Sequence, residues 1–279
     1  MNRRNFLRTS AGVAALGLSV SGFQSMAQAT AKKKIPIGIQ LYSVRKAAAS
    51  DLAKVLKAIK AMDYDGVEFA GYYGIAPKEI RKMLDDTGLK CCGTHTGLHE
   101  LLGEKFDNTV EIHKTLGTRY VVVPGGIDHY LATIPGNEVT AFLFNELAAK
   151  LSKHDLELGY HAHSGDFKKI DGETAWDRFF AKTRKEVFMQ MDIGNCLGGG
   201  GDPYKPISKF PARSKTIHFK EWSDNDAPVG EGKVDWPRVF ELCESVGGTE
   251  WYVVEHEVGD ANDLGGIEAC IKNLRKMGK

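Results

Sequence analysis

Short apolar runs alternate with amphipathic stretches from residue 35 to the end of the chain, and this alternation limits the possible folds more than any other feature. Eight of the runs have strand character. They cover residues 36–41, 66–69, 90–95, 120–124, 158–161, 188–192, 216–219 and 252–255. Short buried strands between helices indicate a parallel sheet, and eight such units favour closure. The sequence therefore predicts an α/β protein built as a single (β/α)8 barrel.

The stretches between the runs have helical periodicity. Apolar residues recur every three or four positions in residues 51–62, with Asp51 as a candidate N-cap. Pro77 opens a second stretch and Gly88 closes it, and residues 137–155 and 265–277 behave likewise. Neither a linker nor a low-complexity segment interrupts the alternation. We therefore expect one barrel domain over residues 30–279.

The first 29 residues have the character of an export signal. Arg3 and Arg4 are followed by Phe-Leu and Arg8, then by the apolar run 11–20, and Ala27-Gln-Ala29 has the small-x-small form of a cleavage site. The apolar run is too short to span a bilayer. This leader resembles a twin-arginine signal peptide that is cut after Ala29. We expect a periplasmic protein with no stable membrane insertion.

Charge and cysteine content exclude several classes of protein. The 37 Lys and Arg residues nearly balance the 36 Asp and Glu residues, and loss of the leader would make the chain slightly acidic. With no basic stripe, nucleic acid is not an expected partner. The five cysteines have no paired zinc-type spacing, so we expect buried thiols. A homo-oligomer is compatible with the sequence, which does not specify an oligomeric state.

Four of the runs in the second half end in side chains that bind metals. These are His161 with His163 nearby, Asp192, His218 and Glu255. In a parallel barrel the carboxyl ends of the strands meet at one mouth. Imidazoles and carboxylates together suit Mn²⁺, Co²⁺, Zn²⁺ or Mg²⁺. The sequence predicts one divalent cation, with either His161 or His163 as the fourth ligand.

Residues two positions further on are expected above this metal, because side chains two apart on a strand share a face. His163, Lys220 and Glu257 would then lie where a substrate binds. The metal and Lys220 can polarise a sugar carbonyl or hydroxyl, while Glu255 or Glu257 removes the adjacent proton. A bound cation lowers the pKa of its ligand carboxylate, so Glu257 is the better candidate base. If Glu257 is not the base, His163 or Glu68 is the next candidate.

Other polar residues are assigned by position. Glu68 and His95 end the second and third runs and are expected to contact substrate at the same mouth. The histidines at positions 113, 129 and 154 are expected on helix or loop surfaces without a role. The glycine-rich segment 198–201 is a weak phosphate-loop candidate, because neither Lys-Ser nor a helix start follows it.

These residues resemble the sugar phosphate isomerase/epimerase superfamily, the xylose isomerase-like TIM barrels. The resemblance spans nearly all of residues 35–279 and is carried by segments 38–45, 66–69, 160–163, 192–195, 217–221, 229–232, 235–236 and 254–257. It implies one divalent metal, held from strands five to eight by Glu, Asp, His and Glu. Asp192, His218 and Glu255 match the last three, and His161 replaces the first, as in a subgroup with the motif Tyr-His-Asn-His.

The resemblance also implies a small sugar or glycoside substrate, with Glu68, His95, Gln40 and Glu231 as binding residues. Many epimerases use paired glutamates on opposite faces of the substrate, and His161 in place of one argues against that symmetry. Exported relatives are similar to enzymes that act on 3-keto-glycosides, where loss of the same proton eliminates the glycosidic group. The sequence therefore leaves three alternatives: a sugar isomerase or epimerase, a 3-keto-glycoside lyase or hydratase, and a non-catalytic sugar-binding barrel. An apurinic-site endonuclease would need more metal ligands and a basic face.

Overall fold

The computed structural model describes residues 34–225, 227–257, 261–262 and 264–279. Residues 34–279 form one compact unit. The predicted leader lies outside the described residues, so its cleavage remains a prediction. Among the described helices, none combines the length and apolar character needed to cross a bilayer.

Eight parallel strands close into a barrel. In chain order they are Ile37–Gln40, Gly66–Phe69, Lys90–His95, Tyr120–Val123, Glu157–His161, Val187–Asp192, Thr216–Phe219 and Trp251–Val254. Each pairs with the next, and the first closes on the eighth, where Gly38 lies opposite Val253. The predicted (β/α)8 barrel is confirmed, with each strand boundary within one residue of its expected position.

Helices connect the strands around the outside of the barrel. The α-helices are Arg45–Ser50, Leu52–Ala61, Pro77–Thr87, Lys105–Leu116, Asp128–Leu131, Ile134–Leu151, Ala175–Lys182, Ile193–Gly198, Tyr204–Lys209, Trp236–Leu242 and Gly265–Lys276. Short 3₁₀ segments occupy Leu41–Val44, Leu98–Leu101, Ser152–His154 and Ser164–Phe167, and Cys243–Gly247 is π-helical. An antiparallel ribbon, Lys169–Ile170 with Glu173–Thr174, follows the fifth strand.

The helix ends follow the local sequence. The Asp51 carboxylate accepts a 2.9 Å hydrogen bond from the Lys54 amide and so caps Leu52–Ala61, as predicted. Pro77 begins its helix, and Gly88 ends it in the left-handed region with φ 70°. These signals depend on neighbours in sequence, which is why they could be recognised without the fold.

An aromatic cluster fixes the fifth strand just before its carboxyl-terminal end. The Tyr160 ring lies 5.7 Å from Trp176, 5.5 Å from Phe179 and 6.0 Å from Phe144, measured between centroids. All four rings are fully buried. Burying one such side chain contributes roughly 1.5–3 kcal/mol. Two helices therefore lock the strand that carries His161.

One histidine prediction is wrong and the cysteine prediction is confirmed. His113 is fully buried, not on a surface, because it lies on the inner face of Lys105–Leu116 with Val110 and Leu116. Its Nε2 lies 2.6 Å from Thr94 Oγ1, and its Nδ1 lies 2.7 Å from the Thr109 carbonyl oxygen. All five cysteines are buried free thiols.

Candidate functional site

Four predicted ligands converge at the carboxyl-terminal mouth of the barrel. His161, Asp192, His218 and Glu255 each place one ligand atom within 4.8 Å of the others, and all four are buried. They come from the fifth to eighth strand units, since Glu255 lies one residue past its strand. This spacing matches a site that one cation could bridge.

His161, and not His163, is the imidazole that lies with the other three ligands, and Gln190 fixes its tautomer. The Gln190 amide nitrogen donates 2.8 Å hydrogen bonds to Glu68 Oε1 and Thr216 Oγ1, so its oxygen must face the other way. That oxygen lies 3.1 Å from His161 Nδ1, which therefore carries the proton. Burial lowers the pKa of His161, so the ring is neutral and Nε2 keeps a lone pair for a cation.

His218 is held between two carboxylates. Its Nε2 lies 2.7 Å from Glu68 Oε2, while its Nδ1 is hydrogen-bonded to Glu255 and lies 3.9 Å from Asp192 Oδ2. Burial alone would lower the pKa of His218, but Glu68 and Glu255 outweigh it and raise the pKa to about 10. A proton on Nδ1 therefore occupies the direction in which this imidazole could bind a cation.

Asp192 has an unused buried oxygen. Its Oδ1 accepts a 2.7 Å hydrogen bond from the Asn195 amide, whereas its Oδ2 has no hydrogen-bond partner within the described residues. Burial raises the pKa of Asp192 to about 7, although the positive charge of Lys220 opposes the change. An unpaired buried carboxylate oxygen is costly unless a cation or proton satisfies it. This atom is the strongest local indication that the site could hold a metal.

Glu68 and Gln40 support the ligands from below and do not reach the cavity. Both side chains are fully buried, and the Gln40 amide donates a 2.8 Å hydrogen bond to Glu68 Oε2. Burial would raise the pKa of Glu68, but His95 and His218 outweigh it and keep the carboxylate ionised. The prediction that these two residues contact substrate is therefore wrong, because both side chains point into the barrel interior and not into the cavity.

Gly93 makes room for the Glu68 carboxylate. A Cβ atom built on Gly93 would lie 2.6 Å from Glu68 Oε1, which is closer than any real contact of this kind. The third strand therefore has to pass the second with no side chain at this point. The third strand also contributes His95 to the site. The Nε2 atom of His95 lies 2.8 Å from Gln190 Oε1 and 3.1 Å from Glu68 Oε2.

The main cavity, of about 500 Å³, opens above the ligands. Its wall includes the predicted residues His95, His161, His163, Lys220, Glu255 and Glu257, together with Tyr42 and Asn195, which sequence reasoning missed. Asp192 and His218 lie buried beneath the wall. This arrangement leaves room for a small polar ligand beside the candidate metal ligands.

Lys220 and Glu257 form an ion pair at the edge of this cavity. The Lys220 ammonium donates a 2.8 Å hydrogen bond to Glu257 Oε1 and lies 3.8 Å from Glu255 Oε1. Burial would lower the pKa of Lys220, but Asp192, Glu255 and Glu257 outweigh it and raise the pKa. The pKa of Glu257 is raised, mainly by a hydrogen bond with Glu255 and secondly by burial. The pair can therefore hold and transfer a proton near a bound ligand.

His163 belongs to a different group from His161. It lies past the end of the fifth strand, close to Asp128 and Asp166, and its Nδ1 has no hydrogen-bond partner in the described chain. The buried Asp166 accepts hydrogen bonds from the Tyr160 hydroxyl and the His163 amide. Burial raises the pKa of Asp166 to about 7. Neither aspartate gave a signal in the sequence, because both lie in connecting segments.

Glu231 is not brought to the site. Its side chain is exposed, accepts a 2.8 Å hydrogen bond from Asn273 and lines neither cavity beside Lys220. The nearby Glu221 is central to the loop instead, because its carboxylate accepts hydrogen bonds from the Gly230 amide and the Trp236 indole nitrogen. The structure gives Glu231 no place in either cavity wall, and its expected substrate role stays a prediction.

A closed parallel barrel with two imidazoles and two carboxylates at its carboxyl-terminal mouth defines a class of candidate metal-dependent barrels. Residues 56–277 match the family model described as xylose isomerase-like TIM barrel. The chain belongs to this family, and the resemblance inferred from the sequence is confirmed.

Individual relatives are more distant. The chain is 26% identical over 266 residues to the rhizopine catabolism protein MocC of Rhizobium meliloti, covering 81% of each protein. It is 21% identical over 249 residues to the inosose dehydratase of Erwinia tasmaniensis, covering 73% of this chain and 82% of the relative. A crystal structure of a sugar phosphate isomerase/epimerase from Parabacteroides distasonis superposes with a TM-score of 0.74 at 25% identity, covering 91% of this chain and 97% of that one. The related proteins thus include sugar isomerases, epimerases and dehydratases.

Proposed function

We propose that the protein is a divalent-metal-dependent enzyme that removes a proton from the carbon beside a carbonyl of a sugar or a related polyhydroxy ketone. The observation that carries this proposal is the convergence of four ligand atoms below a cavity bordered by the Lys220–Glu257 pair, with Asp192 Oδ2 buried and without a hydrogen bond. Family membership supports an enzyme of this type.

The residues present fit a divalent cation. His161 Nε2, Asp192 Oδ2, His218 Nδ1 and one oxygen of Glu255 would hold it, and Mn²⁺, Co²⁺, Zn²⁺ and Mg²⁺ all accept ligands of these types. When bound, the cation supplies a Lewis acid for a substrate oxygen. Glu68 fixes the far nitrogen of His218, as carboxylates commonly do for metal-binding imidazoles.

Glu257 is the proposed general base. Its carboxylate lies in the cavity wall beside the ligand Glu255, and Lys220 orients it through the 2.8 Å hydrogen bond. A carboxylate that does not bind the cation keeps its basicity, which makes Glu257 a better proton acceptor than Glu255. Lys220 carries the positive charge that pairs with Glu257. Its ammonium would also stabilise the substrate oxygen that becomes negative when the carbon loses its proton.

A dehydration or elimination is the second candidate for the overall reaction, since either can complete the chemistry once the proton has been removed. Four curated relatives carry the name inosose dehydratase. His161 also supplies an imidazole where symmetrical epimerases have a second glutamate. With Glu255 assigned as a ligand, Glu257 is the carboxylate left for proton transfer among the described residues that line the main cavity. One base that acts on one face of the substrate suits loss of a neighbouring hydroxyl or glycosidic oxygen.

Deuterium uptake tests the shared step. Metal-loaded mature protein would be incubated in D₂O with free aldoses and ketoses, an inosose and 3-keto-glycosides, and followed by NMR. Exchange beside the carbonyl with an unchanged skeleton supports an isomerase or epimerase, and loss of water or an alcohol supports a lyase. Metal-depleted protein is the control. Metal-loaded protein that binds sugars but exchanges no proton would favour the sugar-binding barrel.

We also propose that the protein works in the periplasm after twin-arginine export. The proposal is supported by the Arg3-Arg4 pair, the short apolar run and the Ala27-Gln-Ala29 segment. Twin-arginine export carries folded proteins, which suits a chain that takes up its metal before it leaves the cytoplasm.

A further inference from the structure

A second cavity continues from the main one past the Lys220–Glu257 pair. This side cavity has a volume of about 220 Å³, and it shares four wall residues with the main cavity: Asn195, Lys220, Glu255 and Glu257. The proposed base and its lysine therefore stand at the junction of two spaces. A ligand centred on the candidate metal can extend past them.

The wall of the side cavity has the features of a sugar subsite. Trp222 is 39% exposed there, although large aromatic side chains elsewhere in the protein are mostly buried. Its backbone oxygen accepts a 2.9 Å hydrogen bond from the Lys233 amide, and the Lys233 ammonium lies 5.3 Å from the ring centroid. The indole lies beside polar groups such as Ser164 and Ser223. An aromatic surface with hydroxyls around it suits a sugar ring, which has apolar faces and a polar edge.

Gly198 keeps this cavity open. A Cβ atom built on Gly198 would lie 3.6 Å from Ser164 Oγ and 4.0 Å from Cδ1 and Nε1 of Trp222, which is ordinary contact. Its φ lies outside the left-handed region, so a larger side chain can be placed here without backbone strain. Such a side chain would enter the space between Ser164 and Trp222. This gives a role to the first glycine of the segment 198–201.

We infer that the substrate has two parts, with the reacting ring in the main cavity and a second, glycosidically linked ring against Trp222 in the side cavity. The substrate class is therefore a disaccharide or comparable glycoside, not a free monosaccharide or inosose. This inference rests on the proposed function for the location of the reacting ring. A third cavity, beside Tyr72, shares His95 and Gly97 with the main one and does not border Lys220, so it is a less suitable place for the second ring.

Equilibrium binding tests the inference without requiring turnover. Isothermal titration calorimetry on metal-loaded mature protein would compare methyl α- and β-D-glucopyranoside with maltose and cellobiose, and methyl galactosides with lactose and melibiose. At least one two-ring sugar should bind about tenfold more tightly than its one-ring counterpart, which corresponds to ~1.4 kcal/mol. Gly198→Leu and Trp222→Ala should each remove most of that difference.

Gly165→Leu is the matched control. Gly165 is exposed, lies one residue from Ser164, and has no atom within 4 Å of a Cβ built on it. This variant should keep the preference for two rings, and circular dichroism would confirm that all three variants fold. The inference is overturned if no two-ring sugar in the panel binds more tightly than its counterpart, or if Gly198→Leu and Trp222→Ala both retain the preference. The deuterium test of the proposed function is independent of this binding test, because it measures proton exchange and not affinity.

Discussion

Glu68 Oε2 lies 2.7 Å from His218 Nε2, so a carboxylate from the second strand fixes an imidazole from the seventh. This contact leaves Nδ1 of His218 directed towards Asp192 and Glu255. The ligand set is therefore organised by a residue that would not touch the metal. Its influence on the site should be measurable as metal affinity.

Glu68→Gln should weaken metal binding by about 10- to 100-fold, the usual effect of losing a carboxylate behind a metal-binding histidine. The charge that stabilises the orientation of His218 is lost while the size of the side chain is kept. Competition with a chelator of known affinity would measure the change, and Glu241→Gln is an exposed control. Equal affinities for wild type and Glu68→Gln would contradict the assigned role.

His218→Ala and Asp192→Asn should each lose most of the bound metal while the barrel stays folded. Each change removes one of four converging ligand atoms. Elemental analysis of purified protein would give the metal content, and circular dichroism would report the fold. His129→Ala, on an exposed helix, should retain the metal. Full metal occupancy in both ligand variants would refute the proposed centre.

Glu257→Gln should reduce turnover by about a hundredfold or more with unchanged metal content, because a general base is lost. Glu255→Gln should lose metal and activity together, since Glu255 is placed as a ligand. Steady-state kinetics and elemental analysis on the same preparations would separate the two roles. A wild-type rate for Glu257→Gln would move the base to another residue, with His163 next in the cavity wall.

His113 should make stability depend on pH between about 4 and 6.5. Burial lowers its pKa from 6.5 to about 4, so in this window the unfolded chain binds a proton that the folded protein does not. The free energy of unfolding therefore falls as the pH drops through the window, by up to about 3 kcal/mol. His113→Gln should flatten that part of the profile in urea titrations, whereas exposed His129→Gln should not. Parallel profiles for wild type and His113→Gln would show that this histidine makes no such contribution.

Replacing Arg3 and Arg4 together by Lys should trap uncleaved precursor in the cytoplasm. Twin-arginine recognition depends on the arginine pair, and the substitution keeps the charge. Cell fractionation with immunoblotting would follow precursor and mature forms, and amino-terminal sequencing would test the cut after Ala29. Normal export of the double variant would rule out the twin-arginine route.

The strands could be predicted well because their signal is local. Buried barrel strands have the sequence pattern of short apolar runs between helices, and the polar residue at the end of each run marks the mouth of the barrel. The positions of Asp192 and His218 could therefore be predicted. The role of Gln190 could not be predicted, because an amide within an apolar run carries no metal signal, yet its orientation sets the tautomer of His161.

The remaining errors concern how deeply a side chain lies in the barrel and which face of a helix it is on, and the first of these depends on tertiary packing. Glu68 is predicted at the mouth and Gln40 as a substrate-binding residue, but both side chains reach into the barrel interior and are fully buried. His113 is predicted on a surface although it follows Val110 and precedes Leu116 by three residues, a spacing that puts it on the core face. Helical periodicity is thus available as a signal for His113, whereas the depth of Glu68 needs the neighbouring strands.

The absence of a side chain at Gly93 has a consequence for redesign of this barrel. The third strand contributes no ligand to the four-residue group, yet any substituent at position 93 would occupy the space of the Glu68 carboxylate. A mutational library intended to change metal preference could vary Tyr42, which borders the cavity, and would have to hold position 93 and the network residue His95 constant.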